Sequence, residues 1–277
     1  MTTTLRPTAP LQQAPDDAKS RTYEVCVNGR PVGTIELATD PRYGSGAGRI
    51  TALHINEADR HRGRATVAAL AAEEVLRGWR CDRVDVSVPP EATAALSLAV
   101  ALGYTERSRN MVKTLPARAP ALPEGVAGRP MTEGEYDAWL ADSKARYART
   151  LAERGLPEEA AQAKADADHA ALVGPATPGT YLGVLTRDDT VVGMLWLSLR
   201  HPLPGRSGAF VFDVEVAEEH RGEGHGRSLM LLAEGEALAA GAERIGLNVF
   251  AENTPARRLY ESLGYEPVMY HFYKQLL

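Results

Sequence analysis

The sequence carries one pattern of residues twice, at a constant separation of 161 positions that we call the repeat offset. The first copy reads Arg60, Gly63 and Ala65 where the second reads Arg221, Gly224 and Gly226, and Leu102-Gly103-Tyr104 matches Leu263-Gly264-Tyr265 in the same register. Two motifs that were similar by chance would not keep one register across about forty residues. The pattern therefore indicates an internal duplication, and a chain of 277 residues is long enough for two domains of ordinary size.

The second copy contains a glycine-rich turn, residues 221–226 (Arg-Gly-Glu-Gly-His-Gly), between a predicted strand at 210–216 and a predicted helix. Because glycine has no Cβ, the main chain at Gly224 and Gly226 can turn tightly and approach a ligand closely. The first amides of a helix have no partner within the helix, and with the helix dipole they attract phosphate. Such a turn often only connects two elements, so its context decides whether it binds an anion.

A second motif follows this helix. Gly241 is predicted to end the helix, residues 245–250 to form a strand, and the run from Asn253 to Gly264 (Asn-Thr-Pro-Ala-Arg-Arg-Leu-Tyr-Glu-Ser-Leu-Gly) to form a short helix with Asn253 as its N-cap. This order of elements, with Arg-x-x-Gly-x-Gly before it, resembles the GNAT superfamily from about residue 130 to the end of the sequence. Members of that superfamily move an acyl group from coenzyme A to an amine.

The resemblance implies an α/β fold of two tandem GNAT-like domains, each with a mixed, mostly antiparallel sheet flanked by helices. Residues 1–20 have no hydrophobic period and are expected to be a disordered tail. A degenerate domain is expected at 21–116, a proline-interrupted linker at 117–130, and the catalytic domain at 131–277. Capping-box spacing at residues 132–135 predicts that the catalytic domain opens with a helix to about Arg154.

The N-terminal copy is expected to be truncated, because the two helices that precede the first hairpin in this superfamily are missing from it. The hairpin itself is predicted by Asn28-Gly29, which favours a tight turn. Ala92 and Ala99 stand where the second copy has Asn and Tyr. This copy either retains phosphate binding through the basic side chains of residues 60–64, or has lost function and serves only for packing.

The resemblance also implies how the second copy binds acetyl-CoA or another acyl-CoA. The main chain of the strand is expected to bind pantetheine and the thioester, the glycine-rich turn to bind the pyrophosphate, and the N-cap Asn to contact the cofactor. The expected cofactor-binding residues are Val214, Glu215, Val216, Arg221, Gly222, Glu223, Gly224, His225, Gly226, Arg227 and Asn253.

Transfer of an acyl group to an amine needs an unprotonated amine, stabilisation of the carbonyl oxygen and a proton for the departing thiolate. By resemblance, Tyr260 supplies that proton. The candidate base is Asp213, acting directly or through a water, since Asn248 occupies the position of the acid that other members use. Strand periodicity cannot decide which way Asp213 and Glu215 face, and the alternative role for Asp213 is a structural ion pair with an arginine.

Composition narrows the partners. The net charge of −5 argues against a nucleic-acid partner, and no apolar run is long enough to span a membrane. Cys26 and Cys81 are expected to be buried thiols. Neither these cysteines nor the histidines have the spacing of metal ligands, so no bound metal is expected. These features predict a cytoplasmic protein.

Two classes of function remain open. The first is an N-acyltransferase, with acetyl as the expected group and a small-molecule or peptide amine as acceptor; its donor is acyl-CoA or, alternatively, the phosphopantetheine of an acyl carrier protein. The second is a non-catalytic acyl-CoA-binding or scaffold protein. Asn253, Tyr260 and the two glycines favour the enzyme, since a binding protein does not need the tyrosine. The identity of the acceptor and the oligomeric state stay open.

Overall fold

The computed structural model describes residues 2–14, 17–40, 46–153, 156–172 and 177–276. The chain divides into two compact units. The first unit runs to Ser108 and takes in the chain from Met269 onward, with a short piece at Leu156. The second unit comprises Arg109–Glu153 and Pro157–Val268. No described helix is long and apolar enough to cross a membrane.

The first unit is built on one sheet with the strand order β1-β3-β4-β5-β6-β13, and the short strand β2 pairs with β3. Its elements are β1 (Thr3–Pro7), β2 (Gln12–Gln13), β3 (Lys19–Val27), β4 (Arg30–Thr39), β5 (Ala47–Ile55), α1 (Arg64–Gly78), β6 (Arg83–Val88), α2 (Thr93–Ala101) and, from the end of the chain, β13 (Glu266–Gln275). Its strand pairings are antiparallel except for β5 with β6, which is parallel. Asn28 and Gly29 have φ angles of 49° and 81°, which confirms the predicted hairpin turn.

The expectation of a disordered tail is wrong for residues 3–7, which form β1 and pair with β3 from Thr3 opposite Val27 to Pro7 opposite Tyr23. Leu5 packs against the core of the first unit. Main-chain hydrogen bonds to a neighbouring strand order a polar segment that has no hydrophobic period of its own. Met1, residues 15 and 16, and most of the glycine-rich loop after β4 lie outside the described residues.

The second unit has the strand order β7-β12-β11-β10-β9-β8. Its elements are β7 (Thr105–Thr114, of which the part from Arg109 belongs here), β8 (Val126–Pro130), α3 (Glu133–Glu153), α4 (Glu158–Leu172), β9 (Thr180–Arg187), β10 (Thr190–Pro202), β11 (Ser207–Val216), α5 (His225–Ala239), β12 (Arg244–Phe250) and α6 (Thr254–Ser262). Strands β11 and β12 are parallel, and β8 to β11 are antiparallel.

Helix α3 begins with the predicted capping box, because the main-chain amide of Thr132 donates to Glu135 at 2.8 Å and the amide of Glu135 donates back to the Thr132 hydroxyl. The predicted end of α3, Arg154, lies outside the described residues. The predicted linker at 117–130 is wrong in part, since Val126–Pro130 is strand β8. An edge strand accepts a proline at its last residue because the missing N–H is not needed there.

The structure confirms the duplication and its register. Helices α1 and α5 begin at Arg64 and His225, and helices α2 and α6 begin at Thr93 and Thr254, so that each pair is separated by the repeat offset. Strands β7 and β13 are equivalent in the same way, yet the chain enters the second unit within β7 and returns to the first unit within β13. Each unit therefore takes its final strand from the other copy, which the predicted boundaries at 116 and 131 did not anticipate.

Candidate active site

Two parallel strands of the second unit separate where the site begins. The ladder between β11 and β12 joins Ala209 to Ile245, Phe210 to Gly246 and Val211 to Leu247, and it ends there, although β11 continues to Val216. The main chain of β11 beyond Val211 is therefore no longer engaged by β12. This segment includes Val214, Glu215 and Val216, for which contacts to a pantetheine arm were expected.

A β-bulge in β11 sets the direction of the acidic side chains. On β10, Trp196 lies opposite Asp213 and Leu197 opposite Val211, so Phe212 is the extra residue. Such a bulge shifts the side-chain alternation along the strand. As a result Val211, Val214 and Val216 belong to or pack against the main core, while Phe212 stacks on Trp196 at 4.8 Å between ring centroids. Asp213 and Glu215 lie on the Trp196 side, which settles the question that periodicity left open.

Helix α3 covers this side and supplies the cation that meets both acids. The guanidinium of Arg146 lies 2.8 Å from Asp213 Oδ2 and 2.9 Å from Glu215 Oε2, and it also contacts Asp142. Asp213 thus makes the arginine ion pair that was the alternative to a catalytic role. Burial nevertheless raises its pKa, because the loss of hydration outweighs the attraction of Arg146 and the hydrogen bonds that it accepts. The Asp213 side chain as a whole remains 31 % exposed, so it is only partly removed from water.

Tyr260 lies in the core on α6 and is 7 % exposed. Burial, followed by the negative charge of Asp213, raises its pKa to about 12. Its hydroxyl therefore stays protonated at neutral pH and can donate a proton. The same helix begins at Asn253, whose side-chain oxygen accepts a hydrogen bond from the Ala256 amide at 3.2 Å, as its predicted N-cap role requires.

The glycine-rich turn forms a cavity of about 310 Å³ at the start of α5. Gly222 and Gly224 both have φ angles of 87°, which other residues rarely adopt, and a Cβ at either would meet nothing within 4 Å. Gly224 is the N-cap of α5 and offers no side chain to the first amides of the helix. The lining residues are Val216, His220, Arg221, Gly222, Gly224, His225, Gly226, Arg227 and Leu259.

The predicted residues fall into two groups. Seven of the expected cofactor-binding residues line the cavity, whereas Glu223 and Asn253 do not, nor do Val214 and Glu215 farther back along β11. His225 is buried, with Nε2 3.1 Å from a Glu223 carboxylate oxygen, so only its main chain is available at the turn. Arg221 donates from Nε to the carbonyl of Val216 at 3.3 Å, which ties the turn to the end of β11.

Three residues of this region were not predicted from the sequence. Leu259 precedes the predicted tyrosine within the same motif, and His220 precedes the predicted turn, so both could have been included from their neighbours. No local signal points to Arg146, which reaches Asp213 across 67 positions of sequence. Among the described residues no group of three His, Cys, Asp or Glu side chains could hold a metal ion.

The first unit repeats this geometry with different side chains. Arg60 donates from Nε to the Ile55 carbonyl at 2.9 Å, as Arg221 does to Val216, and Gly63 is the left-handed N-cap of α1. The ladder between β5 and β6 likewise ends early, at Ile50 opposite Val86. Both copies thus combine diverging parallel strands with a helix that starts at a left-handed glycine.

The chain belongs to the acetyltransferase (GNAT) family, whose model matches residues 3–104 and 145–265. A mycothiol acetyltransferase of Pseudarthrobacter chlorophenolicus is 33 % identical over 180 residues, which cover 62 % of this chain and 54 % of that protein. The mycothiol acetyltransferase of Streptomyces griseus is 29 % identical over 254 residues, covering 88 % of this chain and 76 % of the relative. In the former comparison the matched segment thus spans little more than half of the relative.

Solved structures share the tandem fold. A GCN5-related N-acetyltransferase from Sphaerobacter thermophilus superposes with a TM-score of 0.56 at 20 % identity, over 92 % of this chain and 80 % of that one. A tandem GNAT protein from the clavulanic acid biosynthesis pathway superposes with a TM-score of 0.53 at 20 % identity, over 95 % of this chain and 85 % of the other. At this level of identity the likeness concerns the fold.

Proposed function

We propose that the second unit is an N-acyltransferase that moves an acyl group, acetyl first of all, from coenzyme A to a small-molecule amine. The observation that carries the proposal is the combination of a cavity at Gly222–Arg227 beside helix amides that no side chain caps, a stretch of β11 that β12 no longer pairs with, and a buried tyrosine, Tyr260, whose pKa the charge of Asp213 helps to raise. Membership of the acetyltransferase family supports it.

The residues present fit an acyl-CoA donor. The amides at the start of α5, which no side chain caps, are suited to the pyrophosphate, with Arg221 and Arg227 as exposed cations at the same cavity. The main chain of Val214–Val216 is suited to the amides of pantetheine, since an extended ligand can continue a sheet where a strand has lost its neighbour. The thioester would then lie between Asp213 on β11 and Tyr260 on α6.

The chemistry assigns two proton transfers. The amine nitrogen attacks the thioester carbon and the carbon–sulfur bond breaks, so the amine loses a proton and the sulfur gains one. Asp213 receives the amine proton, directly or through a water, and its raised pKa brings it closer to a working base than an exposed aspartate is. Tyr260 gives its proton to the thiolate. After product release Asp213 returns the amine proton to solvent and Tyr260 takes one up, which restores both groups for the next turnover.

The side of β11 that carries Asp213 would also receive the acceptor. Trp139 packs edge-on against Trp196 at 5.5 Å, and Phe212 stacks on Trp196, so aromatic rings adjoin the acidic pair. Three carboxylates, those of Asp142, Asp213 and Glu215, surround the cation of Arg146, which leaves the region acidic and suited to a cationic amine. Relatives named mycothiol acetyltransferases favour a small molecule over a peptide as acceptor.

The deciding experiment incubates the purified protein with radiolabelled acetyl-CoA and a panel of amines that includes amino sugars, small thiols bearing an amine, and peptides. We expect label transfer to one class of small amine, and loss of transfer in Tyr260→Phe. A parallel reaction supplies the acetyl group on a carrier protein's phosphopantetheine. Transfer from the carrier protein alone would replace coenzyme A as donor, and no transfer from either donor to any amine would contradict the proposal.

A further inference from the structure

The first unit contains a second cavity, of about 260 Å³, that the acyl-transfer chemistry does not use. It lies where β5 and β6 diverge beyond Ile50 and Val86, and α2 closes one side of it. When the two copies are aligned by the repeat offset, its position is therefore equivalent to the region around Tyr260 in the second unit. A volume of this size is larger than an apolar cavity that holds benzene, about 150 Å³, and somewhat below the usual range for drug-sized ligands.

Three alanines account for the space. Ala69, Ala92 and Ala99 line the cavity, and the second copy has Met230, Asn253 and Tyr260 at the equivalent positions. Ala52, another lining residue, likewise stands where the second copy has Asp213. The first copy therefore lacks the proposed base, the proposed acid and the N-cap amide of the second copy. Alanine takes the place of each of them. The result is an uncharged, mainly apolar cavity that opens to solvent at Thr51, Ala52, Ser87 and Ala95, in place of a polar site.

The remaining polar side chains of the lining are already satisfied. The Thr51 hydroxyl donates to the Glu36 carbonyl, the Ser87 hydroxyl is 2.9 Å from His271 Nδ1, and the Tyr104 hydroxyl donates to Glu73 at 3.0 Å. None of the described residues that line the cavity is charged. A ligand with a charged group would therefore lose its hydration without gaining a partner, whereas an apolar ligand would not.

The turn at the start of α1 also differs in its side chains from the equivalent turn of the second copy. His61 replaces the second copy's Gly222 and is held at a φ angle of 58°, and Ala65 replaces Gly226. The guanidinium of Arg64 is buried, with Nε 3.8 Å from Asp59. This loop keeps the left-handed Gly63 and the backbone path of the second copy, with His61 and Ala65 in place of two of its glycines.

We propose that this cavity binds a small, uncharged and mainly apolar molecule, of the size of a single aromatic ring or a short alkyl chain. The proposal does not depend on acyl transfer by the second unit. The main chain of β5 beyond the end of its ladder with β6 can hydrogen-bond a polar group of such a ligand, for example a hydroxyl. The three alanines determine the size of ligand that fits. Exchanging any of them for the larger residue of the second copy would fill part of the cavity.

The test uses the full chain with 1-hexanol as probe and glycerol as a polar comparison. Binding is measured by ligand-observed NMR and by the shift of the melting temperature. We expect saturable binding of 1-hexanol and none of glycerol. Ala99→Tyr and Ala69→Met, which insert the side chains of the second copy, should each weaken the probe by about tenfold or more, since an apolar cavity binds through the space that it leaves empty. Val100→Tyr is the matched control, because Val100 is the next residue of α2 and is 65 % exposed.

Three outcomes would overturn the proposal. They are no saturable binding of 1-hexanol to the parent chain, binding to both filled variants as tight as to the parent, and displacement of the probe by coenzyme A. The last result would assign the cavity to a nucleotide-bearing ligand instead. If Ala99→Tyr does not fold by circular dichroism, Ala69→Met carries the test, since methionine is flexible and adapts to irregular space.

Discussion

Lys274 Nζ lies 2.8 Å from Glu73 Oε2, a carboxylate 201 positions earlier in the chain. The same ammonium lies over the ring of Tyr104 at 5.6 Å, and the Tyr104 hydroxyl donates to Glu73 at 3.0 Å. In the second unit Lys113 pairs with Glu234 at 2.7 Å and lies over Tyr265 at 5.7 Å. The residues of the two clusters correspond through the repeat offset, and each cluster fastens an exchanged strand to the unit that receives it.

The first prediction concerns this buried ion pair. Lys274→Met leaves the carboxylate of Glu73, whose side chain is 5 % exposed, without its cation. We expect a loss of about 3 kcal/mol in the free energy of unfolding, measured in urea, because an uncompensated buried charge is costly. Glu73→Gln combined with Lys274→Met should lose less than the sum of the single variants. Gln275→Met, on the exposed neighbouring residue, is the control, and an equally small change in the single variants at positions 274 and 275 would contradict the role of the pair.

The exchanged strand also predicts how the halves behave when separated. A fragment of residues 1–108, the first unit without the chain from Met269 onward, lacks β13, which pairs with β6 from Tyr270 opposite Val88 to Gln275 opposite Arg83. We expect this fragment not to fold alone, because an edge of the sheet and the Glu73 carboxylate lose their partners. Appending residues 266–276 through a flexible linker should restore a cooperative melt by circular dichroism. Cooperative folding of the bare fragment would show that β13 is dispensable.

Gly224→Asp should weaken acetyl-CoA binding by about tenfold or more, since it places a negative charge at the amides proposed to hold the pyrophosphate. Gly241→Asp is the control for backbone strain. Gly241 also has a positive φ angle, 80°, and a Cβ there would also meet nothing within 4 Å, but it follows the other end of α5. Calorimetry of both variants separates charge from strain. Equal affinities in the two variants would place the phosphate elsewhere.

Tyr260→Phe should lower the rate of acyl transfer by about 10²-fold to 10⁴-fold while the affinity for acetyl-CoA and the melting temperature change little. The parent rate should stay independent of tyrosine ionisation until the pH approaches 12, the value to which burial raises this pKa. Tyr265→Phe is the matched control, since Tyr265 is also a buried tyrosine and its ring centroid is 6.0 Å from that of Tyr260. An unchanged rate in Tyr260→Phe would remove this residue from the mechanism.

Asp213 predicts a pH dependence of both rate and stability. Because its pKa is raised in the folded chain, its protonated form favours folding, so this contribution is present at low pH and is lost as the pH rises through the folded pKa. Asp213→Asn should therefore melt at a higher temperature than the parent at pH 7, with the difference shrinking in acid. The acidic limb of kcat/KM should disappear in the same variant, together with most of the rate.

Glu215→Gln is the control for Asp213→Asn, since Glu215 contacts the same guanidinium at 2.9 Å. It should retain the acidic limb of the rate profile. Loss of that limb in Glu215→Gln, with retention in Asp213→Asn, would exchange the roles assigned to the two acids.

Features formed within a few residues of one another were predictable from the sequence. The left-handed turn at Asn28-Gly29, the capping box of Thr132 and Glu135, and the N-cap at Asn253 are confirmed. Each depends on hydrogen bonds or backbone preferences that span at most about four positions, so a short stretch of residues defines it. The repeat offset likewise followed from the sequence, because duplication copies residue order directly.

Only the tertiary structure decided which strand completes which sheet, which way Asp213 faces, and which cation meets it. A strand can pair with any open sheet edge that presents a compatible face. The residue pattern of β13 therefore does not specify that it pairs with β6. The bulge at Phe212 inverts side-chain alternation at one residue, and Arg146 reaches Asp213 from a helix 67 positions away. The sequence by itself determined the family pattern and the local turns, since these are encoded by neighbours; the exchange and the site's electrostatics come from contacts between distant residues, which no local pattern records.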